Sequence, residues 1–222
     1  MKIAVCFAIG YLSGCINPSY LLGKLHGLDI REKGSGNAGA SNMLILFGKL
    51  MGALCALFDI AKAFFSTFIT SLIFPGYKYG FAITATACIL GHIFPFYMCF
   101  RGGKGLACLG GVILFYDWKI FLIMLGAALV LAIITDYICF VPICASAVFP
   151  IIYAFTKNDV TGALILAIIS VVILIKHFEN LQRIRNGTEL HLSFLWNKNS
   201  EFERIQKSVN ANDAQMTERF LN

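Results

Sequence analysis

Apolar runs too long for a soluble core dominate this sequence. Residues 3–25, 49–74, 79–98, 120–134, 137–155 and 160–176 are nearly continuous in Ile, Leu, Val, Phe, Ala and Gly. As a helix, about 20 such residues cover the ~30 Å of bilayer hydrocarbon. A membrane strand would alternate lipid-facing and interior residues, and these runs do not alternate. Lipid offers no partner to a free backbone N–H or C=O, so the runs must cross as helices. Only 14% of the 222 residues are charged, against about a quarter in soluble domains. A shorter apolar run at 106–116 is expected to start inside the glycines before it. With it counted, the expectation is an all-α, polytopic membrane protein with seven transmembrane helices.

Local signals refine this picture. Leu12-Ser13-Gly14-Cys15 looks like a lipoprotein cleavage box, yet the apolar run resumes through Tyr20-Leu21-Leu22. An uncleaved first helix, bent near Asn17-Pro18, is the better reading. Ser41 or Asn42 is expected to cap the helix over 49–74. Inside that helix Asp59 and Lys62 stand three apart on one face and are expected to pair. The eight cysteines form no C-x-x-C pair and read as buried free thiols, not as disulfides or metal ligands. Residues 190–222 form a polar tail, separate from a membrane domain at 1–189. Phe202, Ile205 and Val209 share one helical stripe there, which suits a surface-lying amphipathic helix or a loosely ordered tail. No internal repeat is visible.

Charge sets the expected topology. With the 26–49 loop inside, its side holds Lys24, Arg31, Lys33, Lys49, Arg101, Lys104, Lys176, Arg183, Arg185, Lys198, Arg204, Lys207 and Arg219. The other side holds Lys2, Lys78, Lys119 and Lys157. Thirteen basic residues against four put the N-terminus outside and the C-terminus in the cytoplasm. The same placement gathers three polar segments on one face.

Each of those segments suits an anion. Gly34-Ser35-Gly36-Asn37-Ala38-Gly39-Ala40-Ser41-Asn42 offers backbone N–H groups and uncharged donors. Arg101-Gly102-Gly103-Lys104-Gly105 offers two cations on a bendable turn. His177, Asn180 and Arg183 recur every three residues and share a broad helix face. Arg and Lys so placed bind phosphate through charge-assisted hydrogen bonds. Spacing excludes several mechanisms. The Gly-Gly-Lys-Gly run is no P-loop, because Gly105 stands where Ser or Thr is needed. Lys33 breaks a Gly-x-Ser-x-Gly elbow around Ser35. Five residues after His26, His92, His177 and His191 stand Arg31, Tyr97, Gln182 and Trp196, so no His-x4-Asp pair exists. No metal-ligand spacing, cofactor motif or nucleic-acid signal appears. Anion binders with one histidine and no nucleophile pair suit transfer from a donor already activated by phosphate.

These segments resemble the bacterial acyl-phosphate:glycerol-3-phosphate acyltransferase family, the PlsY type. The resemblance rests on Gly34 to Asn42 followed by Asp59 and Lys62, on Gly91-His92-Ile93-Phe94-Pro95 with Phe100 to Gly105, and on His177-Phe178-Glu179-Asn180 with Arg183 and Gly187-Thr188-Glu189. It spans roughly residues 8–192. It implies a seven-helix enzyme of the bacterial cytoplasmic membrane that moves a fatty acyl group from acyl phosphate to the sn-1 hydroxyl of glycerol 3-phosphate. The products would be lysophosphatidic acid and phosphate. By motif match Ser35, Gly36, Asn37, Gly39 and Lys104 would hold substrate phosphates, with Gly34, Asn42, Arg101, Gly102, Gly103 and Arg183 lining the site. His177 and Asn180 would orient the attacking hydroxyl, and Glu189 would support them. The acyl tail would lie between helices, open to lipid.

The chain departs from the family pattern in places. The family usually carries Arg where this chain has Ile45, Thr at Ser41, Gly at Ala63 and Thr at Cys108. Loss of a phosphate-binding Arg leaves an alternative open: a weakly active or inactive paralogue acting as a binding or regulatory membrane protein. A carrier for a small phosphorylated solute is the third reading, and it would favour an inverted repeat.

Overall fold

The computed structural model describes residues 1–221, with side chains through residue 210. Its elements are α1 (Lys2–Cys15), α2 (Pro18–Leu25), α3 (Ala40–Phe47), α4 (Lys49–Ile73), α5 (Gly80–Ile93), α6 (Leu106–Tyr116), α7 (Trp118–Thr135), α8 (Phe140–Lys157), α9 (Val160–Arg185) and α10 (Lys198–Leu221), with short 3-10 turns between some of them. No strand occurs among the described residues. Among the described residues six stretches are long and apolar enough to cross a membrane: Lys2–Leu25, Lys49–Ile73, Gly80–Met98, Trp118–Thr135, Phe140–Lys157 and Val160–Arg185. The helix α6 has 11 residues and starts at Leu106, after Gly105 and not within the glycines. Its length of about 17 Å is below a hydrocarbon span.

The first span breaks where the sequence says it must. Pro18 has no N–H to donate, and Asn17 caps the new helix by accepting from the Tyr20 N–H at 2.8 Å. The break strands the carbonyls of Cys15 and Ile16 at membrane depth, where each needs a partner. Tyr97 Oη donates to Cys15 at 2.9 Å and Lys62 Nζ to Ile16 at 2.5 Å. The expected Asp59–Lys62 pair forms at 2.7 Å, both side chains being buried. One helical residue thus closes an ion pair and a helix end.

Helix contact here relies on missing side chains, as is usual without a hydrophobic drive between spans. A Cβ on Gly14 would stand 2.0 Å from the Cys88 carbonyl, and one on Gly91 would stand 2.2 Å from that of Tyr11. The helices α1 and α5 therefore touch backbone to backbone. Gly111 brings α6 equally close to Ile60 of α4. The largest core joins α4, α5, α6, α8 and α9 around Ile89, Leu109, Val112, Phe149, Leu166 and Ile173. By contrast α7 buries only Ala132 and leaves Leu122, Ile123, Leu129, Ile133 and Ile134 exposed, as suits a lipid-facing helix. Six of the eight cysteines are buried and all eight are free; Cys99 and Cys144 are exposed.

One expectation fails. Neither Ser41 nor Asn42 caps the helix over 49–74. An extra helix, α3, intervenes, with Gly39 at its N-cap. Gly48, at φ +91°, turns the chain from α3 into α4. Asn42 lies inside α3, and its side chain bonds the preceding loop instead of a helix end.

Candidate active site

The glycine-rich loop is held from beneath by Asn42. Its Oδ1 accepts from the Ser35 N–H at 2.8 Å, and its Nδ2 donates to the carbonyls of Ile30 at 2.6 Å and Lys33 at 3.1 Å. The side chain is wholly buried. Gly34 and Gly36 adopt positive φ, at 60° and 71°, where a side chain would be strained. A Cβ on Gly34 would also meet Asn42 Oδ1 at 2.3 Å. Asn17 Nδ2 donates to the Ala38 carbonyl at 2.8 Å and ties the far end of the loop to the break in the first span. Arg31 forks onto Asp29 at 2.9 and 2.7 Å and donates to the Met98 carbonyl at 2.8 Å. That guanidinium holds the Asp29 carboxyl well below the usual carboxylate range.

The turn bearing Lys104 is equally fixed. The N–H groups of Gly102 and Gly103 donate to the carbonyls of Ile93 and His92 at 3.0 and 3.1 Å. A Cβ on Gly103 would stand 2.1 Å from His92 Nε2. These glycines therefore pack the turn onto α5, and their amides are engaged there. Just before them Cys99 and Phe100 take φ values of 52° and 58°, which reverses the chain and throws Arg101 outward. Arg101 is exposed and stands apart from the cavity described next.

Lys104 points the other way, to the end of α9. Its ammonium donates to Asn180 Oδ1. Asn180 Nδ2 donates to Glu189 Oε1 at 2.6 Å, and Arg183 Nε to Glu189 Oε2 at 2.6 Å. Glu189 reaches both because α9 ends at Arg185 and Gly187, at φ +68°, folds the chain back. His177 is buried one turn earlier, its Nδ1 on the Ile173 carbonyl at 2.8 Å. Burial lowers the Lys104 pKa, and so does the charge of Arg183; Glu189 and Glu179 oppose them.

These groups share one cavity of about 450 Å³. Gly34, Ser35, Asn37, Lys104, His177, Asn180, Arg183 and Glu189 line it. Gly36, Gly39, Asn42, Arg101, Gly102 and Gly103 stand outside the lining as frame or surface. The rest of the wall is largely apolar: Leu44, Ile45, Leu106, Ile138, Pro142, Phe194, Phe202 and Ile205 among others. No sequence motif marks these residues. The stripe of Phe202 and Ile205 in the tail and the departure from the family pattern at Ile45 are the signals the sequence carries for them. Chemically the cavity offers the cations of Lys104 and Arg183, the imidazoles of His177 and His191, the hydroxyls of Ser35, Ser41 and Thr188 and the amides of Asn37 and Asn180, together with apolar walls. It suits a phosphate-bearing molecule with an oily part.

A second polar cluster lies beneath the turn. Lys62 Nζ is 2.7 Å from Asp59 Oδ1 and 3.1 Å from His92 Nδ1. His92 was expected only as part of a motif, not as a partner of the pair. Cys108 joins Asp59 and His92 with ligand atoms within 4.8 Å, a set able to hold a metal. The Lys62 ammonium, however, already contacts two of the three groups. Through His92 this cluster supports the backbone that carries Lys104.

Comparison with known proteins agrees with this geometry. The family profile described as glycerol-3-phosphate acyltransferase matches residues 4–187. Glycerol-3-phosphate acyltransferase 2 of Thermotoga maritima is 40% identical over 82% of this chain and 92% of its own length. The glycerol-3-phosphate acyltransferase of Bacillus subtilis is 31% identical over 88% of this chain and all of its own. The crystal structure of PlsY (YgiH), an integral membrane glycerol 3-phosphate acyltransferase, superposes in its glycerol 3-phosphate form with a TM-score of 0.79. That match has 29% identity and covers 88% of this chain and 98% of the other. Its lysophosphatidic acid form gives a TM-score of 0.76 at 27% identity, over 86% and 95% of the two chains. Fold, motifs and relatives therefore converge, and the chain belongs to the glycerol-3-phosphate acyltransferase family.

Proposed function

We propose that this protein transfers a fatty acyl group from acyl phosphate to the sn-1 hydroxyl of glycerol 3-phosphate, in the bacterial cytoplasmic membrane. One observation carries the reading: Lys104, Asn180, Arg183 and Glu189 form a continuous chain of contacts inside the cavity that Ser35 and Asn37 also line. Lys104 and Arg183 would neutralise the two substrate phosphates, with Gly34, Ser35 and Asn37 as further contacts. Arg101, exposed outside the cavity, would act on approach. The apolar wall would take the acyl tail.

An acyl phosphate is a reactive anhydride, so positioning and charge neutralisation supply most of the rate. The hydroxyl oxygen attacks the acyl carbon, an ester bond forms, and the bond to phosphate breaks with its electron pair on the phosphate. His177 donates its Nδ1–H to Ile173, which leaves Nε2 as the basic nitrogen. That tautomer supports His177 Nε2 as acceptor of the hydroxyl proton, with Asn180 orienting the glycerol. No metal or cofactor enters this scheme.

Topology follows from the same reading. Residues 1–189 form the membrane domain, with α6 as a seventh, short span packed inside the bundle. The termini are then on opposite sides, the C-terminus and residues 190–222 in the cytoplasm with the site. The basic residues, thirteen against four, support this orientation.

Purified protein in lipid, given acyl phosphate and glycerol 3-phosphate, is expected to release phosphate. Lys104→Ala is expected to lower that rate by about a hundredfold or more. Equal release from both proteins would remove the catalytic reading.

A further inference from the structure

Residues beyond the family profile, which ends at 187, build part of this site. The helix α10 returns over the end of α9 and contributes Phe202 and Ile205 to the cavity wall. Between them stands Arg204. Its Nη1 donates to the Gly187 carbonyl at 2.6 Å and its Nη2 to the Glu189 carbonyl at 2.5 Å. Its Nε donates to Glu201, a nearly fully buried carboxylate that also lies 3.4 Å from His191 Nδ1. The guanidinium thus has a donor on each of three acceptors, and two of them are the backbone of the turn that carries Glu189. The backbone of that turn is also tied to α9 by the Gly187 N–H on the Ile184 carbonyl at 3.0 Å and by the N–H groups of Thr188 and Glu189 on the Arg183 carbonyl at 2.8 and 3.2 Å.

We propose that Arg204 is a positioning residue for the acyl transfer: it clamps the Gly187–Glu189 turn so that the Glu189 carboxylate holds Asn180 and Arg183 in place for Lys104 and the substrate phosphates. The path is continuous. Arg204 fixes the backbone of residue 189, its carboxylate fixes Asn180 and Arg183, and Asn180 fixes the Lys104 ammonium. An arginine is needed because a planar fork spans two neighbouring carbonyls and a carboxylate at once, whereas a lysine ammonium is a point donor. The tail is thereby part of the catalytic unit.

This inference rests on the acyltransferase reading, and one set of measurements separates the two. Phosphate release, glycerol 3-phosphate binding and thermal unfolding are measured for wild type, Arg204→Ala, Arg204→Lys, Glu189→Gln and the Arg204→Ala/Glu189→Gln double variant. Arg204→Ala is expected to lower kcat/KM for glycerol 3-phosphate by about tenfold to a hundredfold, as small misplacements do. Arg204→Lys is expected to recover part of that. In the Glu189→Gln background Arg204→Ala is expected to add less than about twofold, in turnover and in binding, because both act through one carboxylate. If Arg204→Ala unfolds early, the cycle is run with Arg204→Lys. Wild-type kinetics in Arg204→Ala, or losses that multiply in the double variant, overturn the proposal. A wild type that releases no phosphate overturns the acyltransferase reading instead.

Discussion

Opposing influences leave Lys104 with a lowered pKa, and that shift gives the site a pH dependence. Burial and Arg183 lower its pKa, while Glu189 raises it. A lysine that binds phosphate must be protonated, so activity is expected to fall on the alkaline side below the range of an ordinary lysine. Glu189→Gln removes the favourable negative charge. It is therefore expected to move the alkaline limb to lower pH, in addition to lowering the rate; a pH–rate profile of both proteins checks this, and an unchanged or higher limb sinks the assignment to Lys104. Ile45 poses the opposite question. It lines the cavity near Ser41 and Leu44, where the family resemblance implies an arginine. Lys198 Nζ donates to the Ile45 carbonyl at 3.4 Å, so a cation reaches the backbone at that position without facing the cavity through Ile45 itself. Ile45→Arg is expected to raise turnover severalfold by adding a charge to the wall. A loss of turnover on the same assay shows that this site works with an apolar residue there. The motif residues were readable from sequence because glycine, lysine and histidine are conspicuous among apolar runs. Their division of labour was not. Asn42 looks like a ligand in the sequence, yet its three hydrogen bonds all go to its own loop. Only the fold distinguishes a residue that lines the site from one that holds it up.

Among the helices, the same limit separates span boundaries from span contacts. The bend at Asn17-Pro18, the Asp59–Lys62 pair and the helix ends near 73 and 157 follow from local chemistry, whereas the last apolar run, read over 160–176, continues as helix to Arg185. Which glycines touch what does not, because contact across helices leaves no trace in the run itself. Gly14 and Gly126 both sit in apolar helices and look alike in sequence. A Cβ at Gly14 would stand 2.0 Å from the Cys88 carbonyl, whereas at Gly126 nothing lies within 4 Å. Alanine favours a helix over glycine by about 1 kcal/mol. At Gly126 that preference is unopposed, so Gly126→Ala is expected to be neutral or slightly stabilising. At Gly14 the clash is with backbone, which cannot rotate away, and overpacking of this kind costs about 1–3 kcal/mol. Gly14→Ala is therefore expected to lower the unfolding temperature in detergent. Equal temperatures for the two variants would count against the close α1–α5 contact.

At the scale of the whole molecule, the placement of the site depends on a parity. Six spans put both termini on one side of the membrane, and seven put them on opposite sides. The deciding element is α6, with 11 residues. A helix that short is poor as a lone span. It is nonetheless apolar throughout, buries Cys108, Leu109, Val112 and Ile113, and meets α4 backbone to backbone through Gly111. Short spans are tolerated where neighbouring helices shield their ends from lipid, since unmet backbone groups are costly only against hydrocarbon. Its N-terminal neighbour, Lys104, belongs to the site, and its C-terminal neighbour, Asp117, caps α7 by accepting from the N–H groups of Lys119 and Ile120. If α6 crosses, Lys104 and Asp117 lie on opposite faces, and the glycine loop, Lys104 and the end of α9 gather on one side. The expected outcome is fluorescence from a green fluorescent protein fused after residue 222, which folds only in the cytoplasm. Alkaline phosphatase fused after Lys78, which is active only outside, is expected to be active. Phosphatase that is silent there, with the C-terminal reporter still bright, would make α6 a re-entrant segment. It would then place the 26–49 loop and Lys104 outside, where their basic residues go against the positive-inside bias.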